Sequence, residues 1–278
     1  MALGRISAIK AMEERVSVRN FTDQPIEQDV LNEIEMEIKD TESPFPGHAM
    51  IHLIKRSDFK GEVSFGSYGF VSGGEYFLVG TCGKNKEDDL TLGYIMEKVV
   101  IYCTSLGLSS VWLGGSFRKK DFENLILIPE GQDIRVVIPI GYEGGQKTMM
   151  AKFIETVNSR RDKRKEFEEL FFEESFDKPM DKNEAGSFAE ALRMVRIAPS
   201  AMNKQPWRVI VSSDAVDFYL SENGDFSWID MGIALSHFEM ALTEDHVFGS
   251  FTKKENKEDH KFTYITSFDK FIEEGEKI

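Results

Sequence analysis

The stretch Ala198-Pro199-Ser200-Ala201-Met202-Asn203-Lys204-Gln205-Pro206-Trp207 constrains the fold of this chain more than any other. Before it, Ser187 with Glu190 three residues later reads as a capping box, and Ala191, Leu192 and Val195 follow at helical spacing. Pro199 ends that helix, because proline disfavours α geometry in the residue before it. After it, Trp207, Val209 and Val211 alternate with Arg208 and Ile210, the period of a strand. Between helix and strand, a polar turn presents a hydroxyl, an amide and free backbone groups on a rigid support, a natural place for a ligand. An ordinary helix-to-strand connection would use the same residues, so physics alone leaves both readings open.

The rest of the chain reads as alternating helices and strands. Residues 5–14 predict a helix with Ile6, Ile9 and Met12 inward, and Gln28–Lys39 a second with Val30, Leu31, Ile34 and Ile38 on one stripe. A rigid turn, Pro44-Phe45-Pro46-Gly47, leads to a strand over about 50–54. Tyr76–Thr81 reads as another strand. A long buried helix is expected from about Asp89 to Ser105, closed by Gly107 in a left-handed cap. Arg135–Ile140 is a further buried strand. Residues 64–75, rich in glycine and aromatics, contain no G-x-G-x-x-G and read as a surface loop, plain or covering a ligand face. Glu166–Asp177 reads as an acidic, phenylalanine-rich connector, and the Lys/Glu-rich tail past Phe251 as loosely ordered at least to Lys261.

Between the first two helices, Arg15, Ser17 and Arg19 alternate in an extended segment, which puts all three on one face. Two guanidinium forks and a hydroxyl on one side suit a phosphate dianion. Two solvated arginines at a helix end would look the same. Further on, Gly114-Gly115 lacks side chains where a planar ligand needs to approach backbone N–H groups, although a plain turn again fits.

A formal charge of −14 over 278 residues argues against nucleic acid or an anionic membrane surface as partner. No apolar run approaches the ~20 residues of a membrane span. The first residues lack the apolar core of a signal peptide, so the expected compartment is the cytoplasm. Cys82 and Cys103 make no metal spacing.

Three motifs together resemble the FMN-dependent nitroreductase family. They are Ala-Pro-Ser-x-x-Asn-x-Gln-Pro-Trp at 198–207, Arg15-Val16-Ser17-Val18-Arg19-Asn20-Phe21 followed by Pro25-Ile26, and Gly107-Leu108-Ser109-Ser110-Val111-Trp112-Leu113-Gly114-Gly115, with Pro129-Glu130 and Ile140-Gly141-Tyr142 beyond. The resemblance implies an α+β, nitroreductase-like fold of mostly antiparallel sheets flanked by helices. It implies that Arg15, Ser17 and Arg19 hold the FMN phosphate and ribityl chain, joined by Lys163 or Arg164 from the basic run 160–165. Trp112, Leu113, Gly114 and Gly115 would then lie along the flavin ring, and Pro199, Ser200, Ala201, Met202 and Asn203 would close the site. The implied activity is hydride transfer from NAD(P)H to a small-molecule acceptor such as a nitroaromatic or quinone. A carrier of flavin without turnover, or another flavin chemistry such as dehalogenation or flavin breakdown, is compatible with the same motifs. No proton-transferring side chain is assigned.

In the family, the Asn-bearing turn usually follows soon after the Arg-x-Ser-x-Arg mark, whereas here it comes half a chain later. A weak internal repeat accounts for this. Ile51-His52-Leu53-Ile54-Lys55-Arg56-Ser57-Asp58 parallels Trp207-Arg208-Val209-Ile210-Val211-Ser212-Ser213-Asp214, and Leu92-Gly93 and Met231-Gly232 each open an apolar helix. Arg161-x-Lys163-x-Lys165-x-Phe167 is a faded copy of the arm, and Val247-Phe248-Gly249-Ser250 the nearest relic of Trp112–Gly115. Family members are typically homodimers, so residues 1–158 and 159–278 read as two halves fused into a pseudo-dimer. A monomer holding one FMN is the expected state.

Overall fold

The computed structural model describes residues 6–58, 71–144, 164–255, 257 and 261–271. The chain divides into two units, residues 1–162 and 163–278, each built around its own sheet. The boundary expected at 158/159 falls outside the described residues.

The first unit begins with α1 (Ala8–Glu14), whose N-terminal Lys10 N–H donates to Ser7 Oγ, and α2 (Gln28–Asp40), which buries Leu31 and Ile34. Then follow β1 (Ala49–Lys55), β2 (Tyr76–Cys82), α3 (Lys86–Ser105), β3 (Ser109–Ser110), α4 (Lys120–Glu123) and β4 (Asp133–Gly141). The sheet runs β1-β2-β4-β3 with every pair antiparallel. Every residue of β2 is buried, as its apolar sequence Tyr-Phe-Leu-Val-Gly-Thr-Cys requires of a strand covered on both faces. Gly80 lets α3 lie close on this strand: a Cβ there would fall 2.8 Å from Val136 and 2.9 Å from Leu92. Gly107 ends α3 as expected, at φ +80°, with its N–H on the Thr104 carbonyl and that of Leu108 on Cys103.

The second unit contains α5 (Phe167–Leu170), β5 (Phe171–Glu173), α6 (Ala189–Ile197), β6 (Trp207–Val211), β7 (Ala215–Leu220), α7 (Ser227–Glu244), β8 (Gly249–Thr252) and β9 (Thr263–Lys270). Its sheet runs β5-β6-β7-β9-β8. Apart from β5, which is parallel to β6, the pairs are antiparallel. Thus β6-β7-β9-β8 repeats the order and directions of β1-β2-β4-β3, and in both units the long buried helix follows the second strand. Edge-on aromatic contacts fill this core, with Phe218 and Phe268 each 5.1–5.3 Å from Phe238.

Four local expectations need correction. The capping box at Ser187 does not form, because Gly186–Phe188 is a 3₁₀ turn that buries Phe188 against Phe238. The helix therefore starts at Ala189, and Glu190 pairs instead with Arg193. The supposed connector 166–177 supplies β5, since Leu170 and Phe171 are fully buried and Phe171 pairs with Val209. The two long helices open earlier than their Leu-Gly and Met-Gly pairs, with Lys86-Glu87-Asp88-Asp89 as the first turn of one and Ser227-Trp228-Ile229-Asp230 as that of the other. Finally, Val247–Ser250 leads into β8, the counterpart of β3, which precedes Trp112; it is not the equivalent of Trp112–Gly115. Strands β7 and β9 were not anticipated.

Candidate functional site

In the first unit the fold brings two of the three motifs side by side. Ser17 bridges Ser110 in parallel, and the Val18 N–H donates to the Ser110 carbonyl at 3.0 Å. On its other side the segment is held by Ser72, whose N–H donates to the Arg19 carbonyl at 2.9 Å. Val18 turns inward to pack with Phe21, Val111 and Leu113. The arm is thereby seated next to the strand that leads into Trp112–Gly115.

The three arm residues are not equivalent there. Ser17 is exposed and Arg19 half-buried. Arg15 caps the C-terminus of α1, and its side chain is only 6% exposed. Its partner is Glu97, a wholly buried carboxylate on α3, with Oε1 3.9 Å from Arg15 Nε. That distance is an ion pair without a hydrogen bond. Both Nε and Nη1 of Arg15 are buried with no hydrogen-bond partner among the described residues. Burial pushes the guanidinium below its usual range, and Glu97 pulls it back up. The other oxygen of Glu97 accepts the Trp112 indole N–H at 2.8 Å. One buried carboxylate therefore touches both candidate cofactor segments. It was not singled out from sequence, although a glutamate amid the apolar run Ile95-Met96-Glu97-Lys98-Val99-Val100 is a usable signal.

Along the glycine stretch, Leu113 pairs with Val137 through both its N–H and its carbonyl, at 3.0 Å each, and its side chain is core. Gly114 is half-buried. Gly115 is exposed, and nothing lies within 4 Å of where its Cβ would be. The stretch thus ends on open backbone.

In the second unit, the turn after α6 is tightly built. Asn203 N–H returns to the Ser200 carbonyl (3.0 Å), and Gln205 N–H donates to Ser200 Oγ (2.9 Å). Met202, Asn203 and Gln205 all sit at positive φ, between +48° and +55°, which side chains other than glycine rarely adopt. Surrounding bonds hold them there. The buried Gln205 donates to the Arg196 carbonyl and accepts from Lys165 N–H. Arg164 donates to the carbonyls of Ile197 (2.7 Å) and Ala198 (2.9 Å) and to Asn203 Oδ1 (2.6 Å). Arg164, expected as a phosphate ligand, is thus committed to capping α6 and fixing the turn. Lys163 lies outside the described residues, as does most of the 64–75 loop. Met202 is 69% exposed at the tip.

Asp230, on the first turn of α7, anchors the turn from below: both its oxygens lie within 2.9–3.1 Å of Ala201 N–H. Burial raises its pKa to about 7; the Ala201 hydrogen bond and Lys204 oppose the rise and Glu222 adds to it. The first unit uses the same device, with Asp88 on the first turn of α3 accepting His48 N–H at 2.7 Å, just past Pro44–Gly47. Cys82 and Cys103 are buried free thiols; burial first, then Glu37, pushes Cys103 up to about 12. Among the described residues there is no cluster suited to a metal ion, and no helix long and apolar enough to cross a membrane.

The chain matches the profile of the family described as "Putative TM nitroreductase" over residues 7–242. Among solved structures it is similar to a "putative nitroreductase" from Thermotoga maritima, at 19% identity over 95% of this chain and 94% of that one, with a TM-score of 0.62. It is also similar to an FMN-dependent nitroreductase from Clostridium difficile (16% identity, 50% of this chain, 90% of that one, TM-score 0.41). A nitroreductase A from Vibrio parahaemolyticus stands alike (19% identity, 51% and 70%, TM-score 0.41). No curated protein matches the chain. At these identities the Thermotoga likeness shows the α+β nitroreductase fold, and no more.

Proposed function

Because the chain belongs to the nitroreductase family which that profile describes, we propose that it is an FMN-dependent oxidoreductase taking hydride from NAD(P)H and passing it to a small acceptor such as a nitroaromatic or a quinone. Arg15 is the observation that carries this reading. A buried cation with two unpaired donors is costly by about 1–3 kcal/mol per unsatisfied group, and a phosphate removes that cost. FMN, when bound, supplies the hydride chemistry, and the protein contributes binding, orientation and tuning. Arg15, Ser17 and Arg19 are the residues that would hold its phosphate and ribityl chain. The bare backbone at Gly114 and Gly115 would offer N–H donors to the ring. In the second unit, the turn from Pro199 to Asn203 is by its motif a candidate cofactor-binding segment, with Arg164 holding Asn203 in place.

The shared strand order supports reading the two units as a duplication, of which one retains the Arg-x-Ser-x-Arg arm. One FMN per chain, held by a monomer, follows from that reading. Flavin-to-protein ratio and native mass test the stoichiometry. Arg15→Ala should weaken FMN binding by about 1.5–3 kcal/mol, the range for a hydrogen bond to a charged group. An unchanged dissociation constant would sink the assignment of the arm. NAD(P)H oxidation in the presence of nitroaromatic or quinone tests turnover, and bound flavin with no acceleration by any acceptor would leave a carrier protein instead.

A further inference from the structure

Glu97 stands apart from every other buried acid described here. It is wholly buried on α3, it is 3.9 Å from a buried arginine, and it takes the indole N–H of Trp112. The pairing with Arg15 balances charge without occupying the arginine's donors, since 3.9 Å exceeds hydrogen-bond length and both Nε and Nη1 stay open. A carboxylate that only glued α1 to α3 would be expected to take those donors. We infer that Glu97 is an internal counter-ion for Arg15, keeping the buried guanidinium charged and poised until a cofactor phosphate arrives to take its open donors. This makes Glu97 a positioning residue, and the inference rests on the phosphate-arm reading above.

The physical consequence is a competition. The Glu97 carboxylate 3.9 Å away partly compensates Arg15 before any ligand binds, so the phosphate gains less from meeting it. Removing that negative charge leaves the guanidinium buried and unbalanced, which destabilises the empty protein. It also leaves the phosphate as the counter-ion in place of the carboxylate, which strengthens binding relative to the empty state. Glu97→Gln keeps the size of the side chain and an oxygen for Trp112, and removes only the charge.

The test compares FMN with riboflavin, which is FMN without its phosphate, on the full-length wild type, Glu97→Gln and Glu97→Asp. Dissociation constants come from flavin fluorescence, and thermal midpoints are taken with and without FMN. Glu97→Gln should lower the midpoint of the empty protein, widen the gap between empty and loaded midpoints, and raise the preference for FMN over riboflavin by about tenfold or more. Glu97→Asp retains the charge one methylene farther back and should shift the preference the same way by less. An unchanged preference with both midpoints lowered equally overturns the inference in favour of simple packing. A preference that falls overturns it in favour of geometric support alone. If Glu97→Gln does not fold, Glu97→Asp decides, and a preference at or below wild type overturns the inference. A wild type that does not prefer FMN to riboflavin removes the phosphate arm itself, whereas a preferring wild type with an unmoved Glu97→Gln removes only the role of Glu97.

Discussion

The two units share a topology and differ in what they do with charge. Both thread a four-strand antiparallel order, bury a long helix after the second strand, and tie the preceding turn to that helix through a carboxylate, Asp88 in one and Asp230 in the other. In the first unit, the arginine of interest is buried with open donors beside a buried acid. In the second, Arg164 spends its donors on two helix-end carbonyls and a turn amide. The backbone pattern is thus reproduced by apolar periodicity and helix caps alone. Ligand chemistry depends on single polar residues, which can be committed to the fold in one unit and left available in the other.

The sharpest test of that contrast concerns Asp230. Its pKa is raised in the folded state, so its contribution to stability is fully present below the usual carboxylate value and is lost as pH climbs through about 7. The span from 3.8 to about 7 corresponds to about 4 kcal/mol. Asp230→Asn should therefore gain thermal stability on the wild type at pH 8, with the gain shrinking toward pH 4. A gain that is the same at both pH values would mean that the turn does not hold a strained, buried acid.

Next in size is Arg164→Ala, which removes the three bonds that fasten α6 to the Asn203 turn. We expect a loss of about 2–3 kcal/mol in stability, read from denaturant midpoints. FMN affinity should change less than it does in Arg15→Ala. If Arg164→Ala left stability intact and weakened FMN as much as Arg15→Ala, the contrast between a structural and a binding arginine would be broken.

The smallest effect belongs to Gly115→Ala. The added methyl meets open space, so stability should move by less than about 0.5 kcal/mol. Any measurable loss of FMN affinity in that variant would show that the bare backbone serves the ligand. Unchanged affinity would reduce Gly114-Gly115 to a turn.

Much of this was legible in the chain. The bodies of α2, β2, α3 and β6, read as Gln28–Lys39, Tyr76–Thr81, about Asp89 to Ser105 and a strand from Trp207 to Val211, follow from the run and spacing of their apolar residues. The end of α6 before Pro199 and the Gly107 cap follow from backbone sterics that act within a few residues. The repeat was visible as paired segments, and the strand order of the two sheets extends it.

What stayed hidden depends on partners distant in sequence. Phe171–Glu173 looks like a connector until Val209 is beside it, and Thr263–Lys270 is central only because β7 and β8 flank it. Ser187 loses its cap because Phe188 is claimed by Phe238, a contact no local pattern encodes. The same holds for charge. The sequence by itself determined the elements with a strong apolar period, where prolines and glycines stop them, and which family the motifs resemble, since those are local properties of side-chain period and backbone freedom. Only the tertiary structure decided that Arg15 is buried with open donors, that Glu97 balances it, and that Arg164 belongs to a turn. The strength of a charge is set by desolvation and by neighbours within a few ångströms, and the chain brings those neighbours together from dozens of residues away.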